Sequence, residues 1–192
     1  MSNRGFFMHK TQPDNIKEAV WWEEKCTRRQ GGYDLDRTNI PSSLRWLPKG
    51  TVLRLTSAGN AQAVKTAIVT EKADANATTL KIVSGSLFKV GDTIAGAQIS
   101  AIVTADGVDT LTIAALPNAV NAKTVVSDYD KANDKLLGFS YDTLDLRDAD
   151  ASLAATPTLT VMEVEEDSLP FPINDDIKQG LNENGIALFK IQ

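Results

Sequence analysis

The chain of 192 residues has a single cysteine, a single histidine and no long apolar run. With Cys26 alone, no disulfide can form within the chain, and a metal site would need other ligands. Cys26 reads as a small apolar packing residue. His9, the one histidine, lies in a stretch without periodicity, so a Ser-His-Asp or Cys-His relay has no orienting scaffold. No glycine pattern of the phosphate-cradling kind precedes a helix. The absence of an apolar run of about eighteen residues argues against a membrane helix. Met1 to Lys10 lacks the charged start and long apolar region of a secretion signal, so synthesis in a cytoplasm is expected. Asn76-Ala77-Thr78 fits a glycosylation acceptor, but without a secretory route it reads as turn chemistry. No catalytic residue, cofactor or metal is expected, and the chain reads as a non-enzyme.

What is present is an uneven charge over a chain that can fill a core. At 42% hydrophobic, the length suits one medium domain or one domain carrying a smaller insertion. Residues 1–56 hold ten Lys or Arg against six Asp or Glu, whereas residues 57–192 hold ten against nineteen. A basic front on an acidic body points to an acidic partner surface, and protein satisfies that as well as nucleic acid does.

The first dozen residues, with Phe6-Phe7, read as an extended arm. Asn15 with Glu18 three residues on forms a capping pair, and Gly31-Gly32 follows Arg28-Arg29, so a helix is expected over about 15–30. At helical spacing Ile16, Ala19, Val20, Trp22 and Cys26 share a face, with Trp21 nearly opposite. Trp21 then either packs under the chain's own loops or meets another chain. Tyr33 to Trp46 reads as an irregular connector carrying Arg37 and Arg45.

From Leu47 the pattern changes to strands: Thr51–Leu55, Ala61–Thr70, Thr78–Val83, Ile99–Thr104, Leu111–Ile113 and Thr124–Val126. Leu80 and Ile82 fall on one side of their strand, with Thr79, Lys81 and Val83 on the other. Gly91-Asp92 supports a tight turn, and Asp106-Gly107 is a hairpin signal. Strands return at Leu136–Tyr141 and Leu159–Val164, where Leu159, Val161 and Glu163 are placed on one side. A short helix is expected near Asp175–Leu181, a break at Gly185 and a strand over Ile186–Ile191.

The fold expected is mainly β, an antiparallel barrel or sandwich with an inserted small β module. An extended N-terminal arm with one helix precedes it. The divisions are residues 1–46 for the arm, 47–66 with 127–192 for the parent β domain, and 67–126 for the insertion.

Carboxylates cluster at Asp142, Asp145, Asp148 and Asp150, and again at Glu163, Glu165, Glu166 and Asp167. Neither set has the spacing of a calcium loop, and both read as solvated acidic loops. Arg28, Arg29, Arg37 and Arg45 with Trp21, Trp22 and Tyr33 supply the cations and rings of single-strand binding, but Glu18, Glu23 and Glu24 oppose phosphate. The charge census disfavours nucleic acid.

Leu47-Pro48-Lys49-Gly50-Thr51-Val52-Leu53, and much later Leu136-Leu137-Gly138-Phe139-Ser140-Tyr141-Asp142, resemble strands of tailed-phage capsid decoration proteins, auxiliary head proteins built on a small β domain. Ala73 to Val126 resembles β modules embedded in phage virion proteins. The resemblance implies a structural virion protein without enzymatic activity, made in a host cytoplasm and placed on the capsid surface. There it would bind the major capsid protein through an N-terminal arm, as a homo-oligomer with a trimer favoured, and stabilise or ornament the head. A base for head fibres is the related alternative. The capsid-binding residues expected are Phe6, Phe7, Trp21, Trp22, Arg28, Arg29, Tyr33, Arg37, Arg45 and Trp46, since aromatics and Arg dominate interface energy. A carbohydrate- or cell-surface-binding β module is the second hypothesis, and an enzyme built on a carboxylate pair the third.

Overall fold

The computed structural model describes residues 16–147 and 154–190. Among them the chain is mainly β, in short and largely antiparallel sheets that include a half-barrel.

The front of the chain departs most from expectation. Residues 16–46 contain no α-helix, only 3-10 turns at Glu23–Lys25 and Arg37–Asn39. They supply the short strands β1 (Thr27–Arg28) and β2 (Tyr33–Asp34), and β3 (Trp46–Leu47) closes the segment. The helix expected over about 15–30 is therefore corrected. Ala19 and Trp21 are buried while Val20 and Trp22 are exposed, which is the alternation of an extended chain. The backbone partners are remote rather than local: Ala19 N–H donates to Lys49, Trp22 N–H to Met162, and Val20 accepts from Glu165. Asn15, the expected cap, lies outside the described residues.

Next come β4 (Val52–Leu55), β5 (Ala61–Ala63) and β6 (Thr66–Ile68). The single strand expected over Ala61–Thr70 is two, because the chain leaves β4 at Val64–Lys65 and β6 pairs instead with a much later strand. Then follow β7 (Thr79–Val83), β8 (Thr93–Ile94), β9 (Ala97–Ala105), β10 (Val108–Ile113) and β11 (Val125–Ser127). Strands β7, β10, β9 and β8 lie in that order in one antiparallel sheet. Asp106 and Gly107 both have positive φ, 51° and 76°, as the tight β9–β10 hairpin requires. Leu80 and Ile82 point inward, where they join Phe88, Ile94, Ile99, Leu111 and Leu116 in a cluster drawn wholly from Ala67 to Val126. Leu87 is packed in a different cluster, with Leu47, Leu53 and Leu137 of the body.

The remaining elements are β12 (Lys135–Phe139), β13 (Leu144–Asp145), β14 (Ala154–Ala155), β15 (Thr158–Val164), α1 (Asp175–Glu183) and β16 (Ala187–Phe189). Strand β12 pairs with β4, and β4 with β5. Strands β1, β2 and β3 pair antiparallel with β15, β14 and β13 respectively. The front of the chain thus runs back along the later segment in nested order, stitched to it three times. The expected sidedness of β15 is also corrected: Val161 and Val164 are buried, whereas Leu159 and Glu163 are exposed. Glu163 has φ 54°, and this left-handed residue makes a bulge that changes which side chains face inward.

Helix α1 forms where expected. The Asn174 side chain accepts from the Ile177 N–H at its start, and Ile177 and Leu181 are buried on its inner face. It carries the chain over to β16, which lies parallel to β15, a pairing that needs such a crossover.

Candidate partner-binding surface

The ten residues expected to grip a partner do not form one arm. Phe6 and Phe7 lie outside the described residues. Trp21 is 6% exposed and packs on Phe139, ring centroids 6.1 Å apart, in the same cluster as Leu136, Val164 and Ile177. The Lys49 ammonium sits 4.4 Å from its ring centre. Its indole Nε1 is buried without a hydrogen-bond partner, so the residue is held by apolar contact and the overlying cation. Trp21 is therefore core, while Trp22 points out.

Five of the other six fall into two places. Arg28 lies over the Tyr141 ring at 5.3 Å, and the neighbouring Arg29 donates from Nε to the Leu137 carbonyl. Both line an open cleft of about 570 Å³ along Thr27–Gly32, faced by Ala154 and Thr156. Arg37 donates to the Leu146 carbonyl, and Arg45 reaches Asp145 at 3.3 Å while lying 4.7 Å over Trp46. Those contacts gather Arg37, Arg45 and Trp46 around β13. Tyr33 is half-buried against the cluster containing Leu35 and Ile40. The exposed members present guanidinium groups over rings, a surface able to meet carboxylates or apolar groups.

Cys26 is partly buried beside this segment. Burial first, then the Glu23 carboxylate, pushes its thiol from 9.0 up to about 11. A thiol so raised is a weak nucleophile at neutral pH. Among the described residues no group of three His, Cys, Asp or Glu is placed to hold a metal ion. No helix among them is long and apolar enough to cross a membrane.

A charged cluster stands where the chain passes into and out of the segment from β6 to β11. Lys65 is only 1% exposed, with its ammonium 2.5 Å from Asp92 Oδ2. Its backbone N–H donates to Asp128 Oδ1, and Asp128 N–H donates back to the Lys65 carbonyl. Arg54 donates to the carbonyl and Oδ2 of Asp128 and to Asp134 Oδ2, each within 2.9 Å, and to Gln62 Oε1. Burial pushes the Lys65 ammonium below its ordinary value against the pull of Asp92, and burial pushes the Asp128 carboxyl up against the pull of Arg54. These groups meet one another's needs, so the cluster acts as a clamp on the neck rather than as proton-transfer machinery. Sequence reading missed it, because Lys65 and its partners are separated by long stretches of chain.

The glycines of the stretches Leu47–Leu53 and Leu136–Asp142 also explain themselves in the fold. Gly50 (φ 91°) lies where a Cβ would be 2.3 Å from the Ala19 methyl, and Gly138 (φ 132°) where it would be 2.3 Å from the Thr158 carbonyl oxygen. Both positions need the missing side chain for a close approach of two segments.

Compared with known proteins, the chain matches no family model, no curated protein and no solved structure.

Proposed function

We propose that the protein is a structural virion protein, an auxiliary capsid or decoration subunit that binds the major capsid protein. The observation that carries this reading is the pairing of the two phrases that resemble decoration proteins. Val52 and Leu53 of the first lie opposite Phe139 and Gly138 of the second, and Gly50 and Thr51 exchange backbone hydrogen bonds with Ser140. Segments far apart in sequence thus form neighbouring strands of one sheet, as a shared fold would require.

The partner-binding residues in this proposal are Arg28 at the cleft and Arg37, Arg45 and Trp46 around β13, while Trp21 belongs to the core. The body is fixed, so binding there would need little ordering of the chain. Mass spectrometry and imaging of purified particles from the source of the chain test the proposal. Expected is a stoichiometric component on the outer shell with Arg45 and Trp46 against a neighbouring subunit. Absence from particles, or binding of the purified protein to a glycan array, would instead favour the carbohydrate-binding alternative.

A further inference from the structure

Of the exposed large apolar side chains, Val20, Trp22, Met162 and Leu188 share one face of the sheet formed by β1, β15 and β16. Trp22 N–H donates to the Met162 carbonyl at 3.1 Å and Glu165 N–H to the Val20 carbonyl at 3.0 Å, so residues 20–22 lie alongside β15. On its other side Val161 pairs with Ala187, which makes Met162 and Leu188 neighbours. Trp21, Val161, Val164 and Ala187 are buried, and alternation sends Val20, Trp22, Met162 and Leu188 outward. The result is a cross-strand row of Trp, Met and Leu, and contiguous exposed apolar surface of this kind marks docking.

The edges of the row hold three exposed carboxylates, Glu24, Glu163 and Glu165, against two ammonium groups, Lys25 and Lys190, the last paired with Glu165 at 3.3 Å. Glu24 stands beside Trp22 and Glu163 beside Met162, both exposed, with Lys25 lying over the Trp22 ring at 5.6 Å. A second copy of the same face would bring like charges together, which disfavours it. The fitting occupant has an apolar centre and basic flanks. The chain holds one, Phe6-Phe7-Met8 between Arg4 and Lys10. This stretch joins the described fold at Ile16, close in sequence to Val20. Fully extended, the residues between Met8 and Ile16 reach roughly 25 Å, enough to lay the apolar triplet on the row. A tether that short gives an effective concentration on the order of millimolar.

We propose that the face of Val20, Trp22, Met162 and Leu188 is the docking site for the chain's own segment Met1–Asn15. Phe6-Phe7-Met8 cover the row, and Arg4 and Lys10 approach Glu163 and Glu24. This gives Phe6 and Phe7 an intramolecular role and does not depend on the capsid proposal.

The test uses the full-length chain carrying Trp46→Phe, in which Trp21 is buried and acrylamide quenching reports Trp22. Expected is shielding of Trp22 that is lost when Phe6→Ser and Phe7→Ser are added, with the circular dichroism spectrum unchanged. A chain beginning at Ile16 should show the same loss, and the synthetic peptide Met1–Asn15 should restore the shielding. Equal quenching with and without the two serine substitutions overturns the proposal. So does shielding that disappears on dilution of the full-length chain, because the occupant then comes from a neighbour. Shielding retained by the chain beginning at Ile16, together with dimer formation in sedimentation, assigns the face to a second copy and overturns it too.

Discussion

The Lys65 ammonium, 1% exposed, lies 2.5 Å from the Asp92 carboxylate across the neck between the body and the β6–β11 segment. Asp92 also accepts from the Lys89 backbone N–H, so it ties its own turn to the buried cation. Removing one member of a buried pair leaves the other charged and desolvated. Asp92→Ala is expected to cost about 3–5 kcal/mol. Lys65→Met, which removes the charge and keeps the apolar stem, is expected to cost less, because Asp92 keeps the Lys89 backbone N–H and the Lys89 ammonium at 3.6 Å as partners. Urea unfolding of the two variants checks the order, and a reversed order would show that the pair is not what holds the neck.

The adjacent tryptophans give a sharp contrast. Trp21 fills the core against Phe139, whereas Trp22 faces outward. Trp21→Ala is expected to cost about 3–5 kcal/mol. In a chain beginning at Ile16, Trp22→Ala is expected to stay within about 0.5 kcal/mol of its parent. Thermal unfolding of the two variants measures the difference.

Truncation distinguishes an arm from a part of the body. Because β1, β2 and β3 pair with β15, β14 and β13, residues 16–46 are integral to the fold. Deleting residues 1–15 should leave a cooperative unfolding transition, while deleting residues 1–46 should abolish it. Calorimetry reads both. A cooperative transition in the longer deletion would restore the view of residues 1–46 as an appendage.

Cys26 supplies a pH prediction. Its thiol is raised from 9.0 to about 11, first by burial and then by Glu23. With the folded value above the unfolded one, its contribution to stability is full below about pH 9 and is lost as pH rises through about 11. At pH 8 the thiolate fraction should be about a hundredfold below that of the unfolded chain. Iodoacetamide alkylation rates with and without urea check this, and equal rates at pH 8 would contradict the burial argument.

The sequence was most legible where local signals decide the structure. In β7 the alternation of Leu80 and Ile82 with polar neighbours, and at Asp106-Gly107 the turn chemistry, suffice to place strands and hairpin. Helix α1 follows from its cap Asn174 and its inner residues Ile177 and Leu181. The front failed for the complementary reason. Asn15, Glu18 and Gly31-Gly32 are sound local helix signals, but the backbone groups of Ala19, Val20 and Trp22 find partners at Lys49, Glu165 and Met162. Such distant pairings leave no trace in a window of neighbouring residues. The site divided likewise: the guanidinium-and-ring character of Arg28, Arg45 and Trp46 could be read from residue types. That Trp21 turns inward depends on Phe139, and that Lys65 is buried depends on Asp92 and Asp128.

Thr66 and Ser127 face each other at the base of the β6–β11 ribbon. The two chain crossings there stand side by side, so a different unit with adjoining ends would fit between them only if it also filled the place of Leu87 among Leu47, Leu53 and Leu137 and offered a carboxylate to Lys65 as Asp92 does.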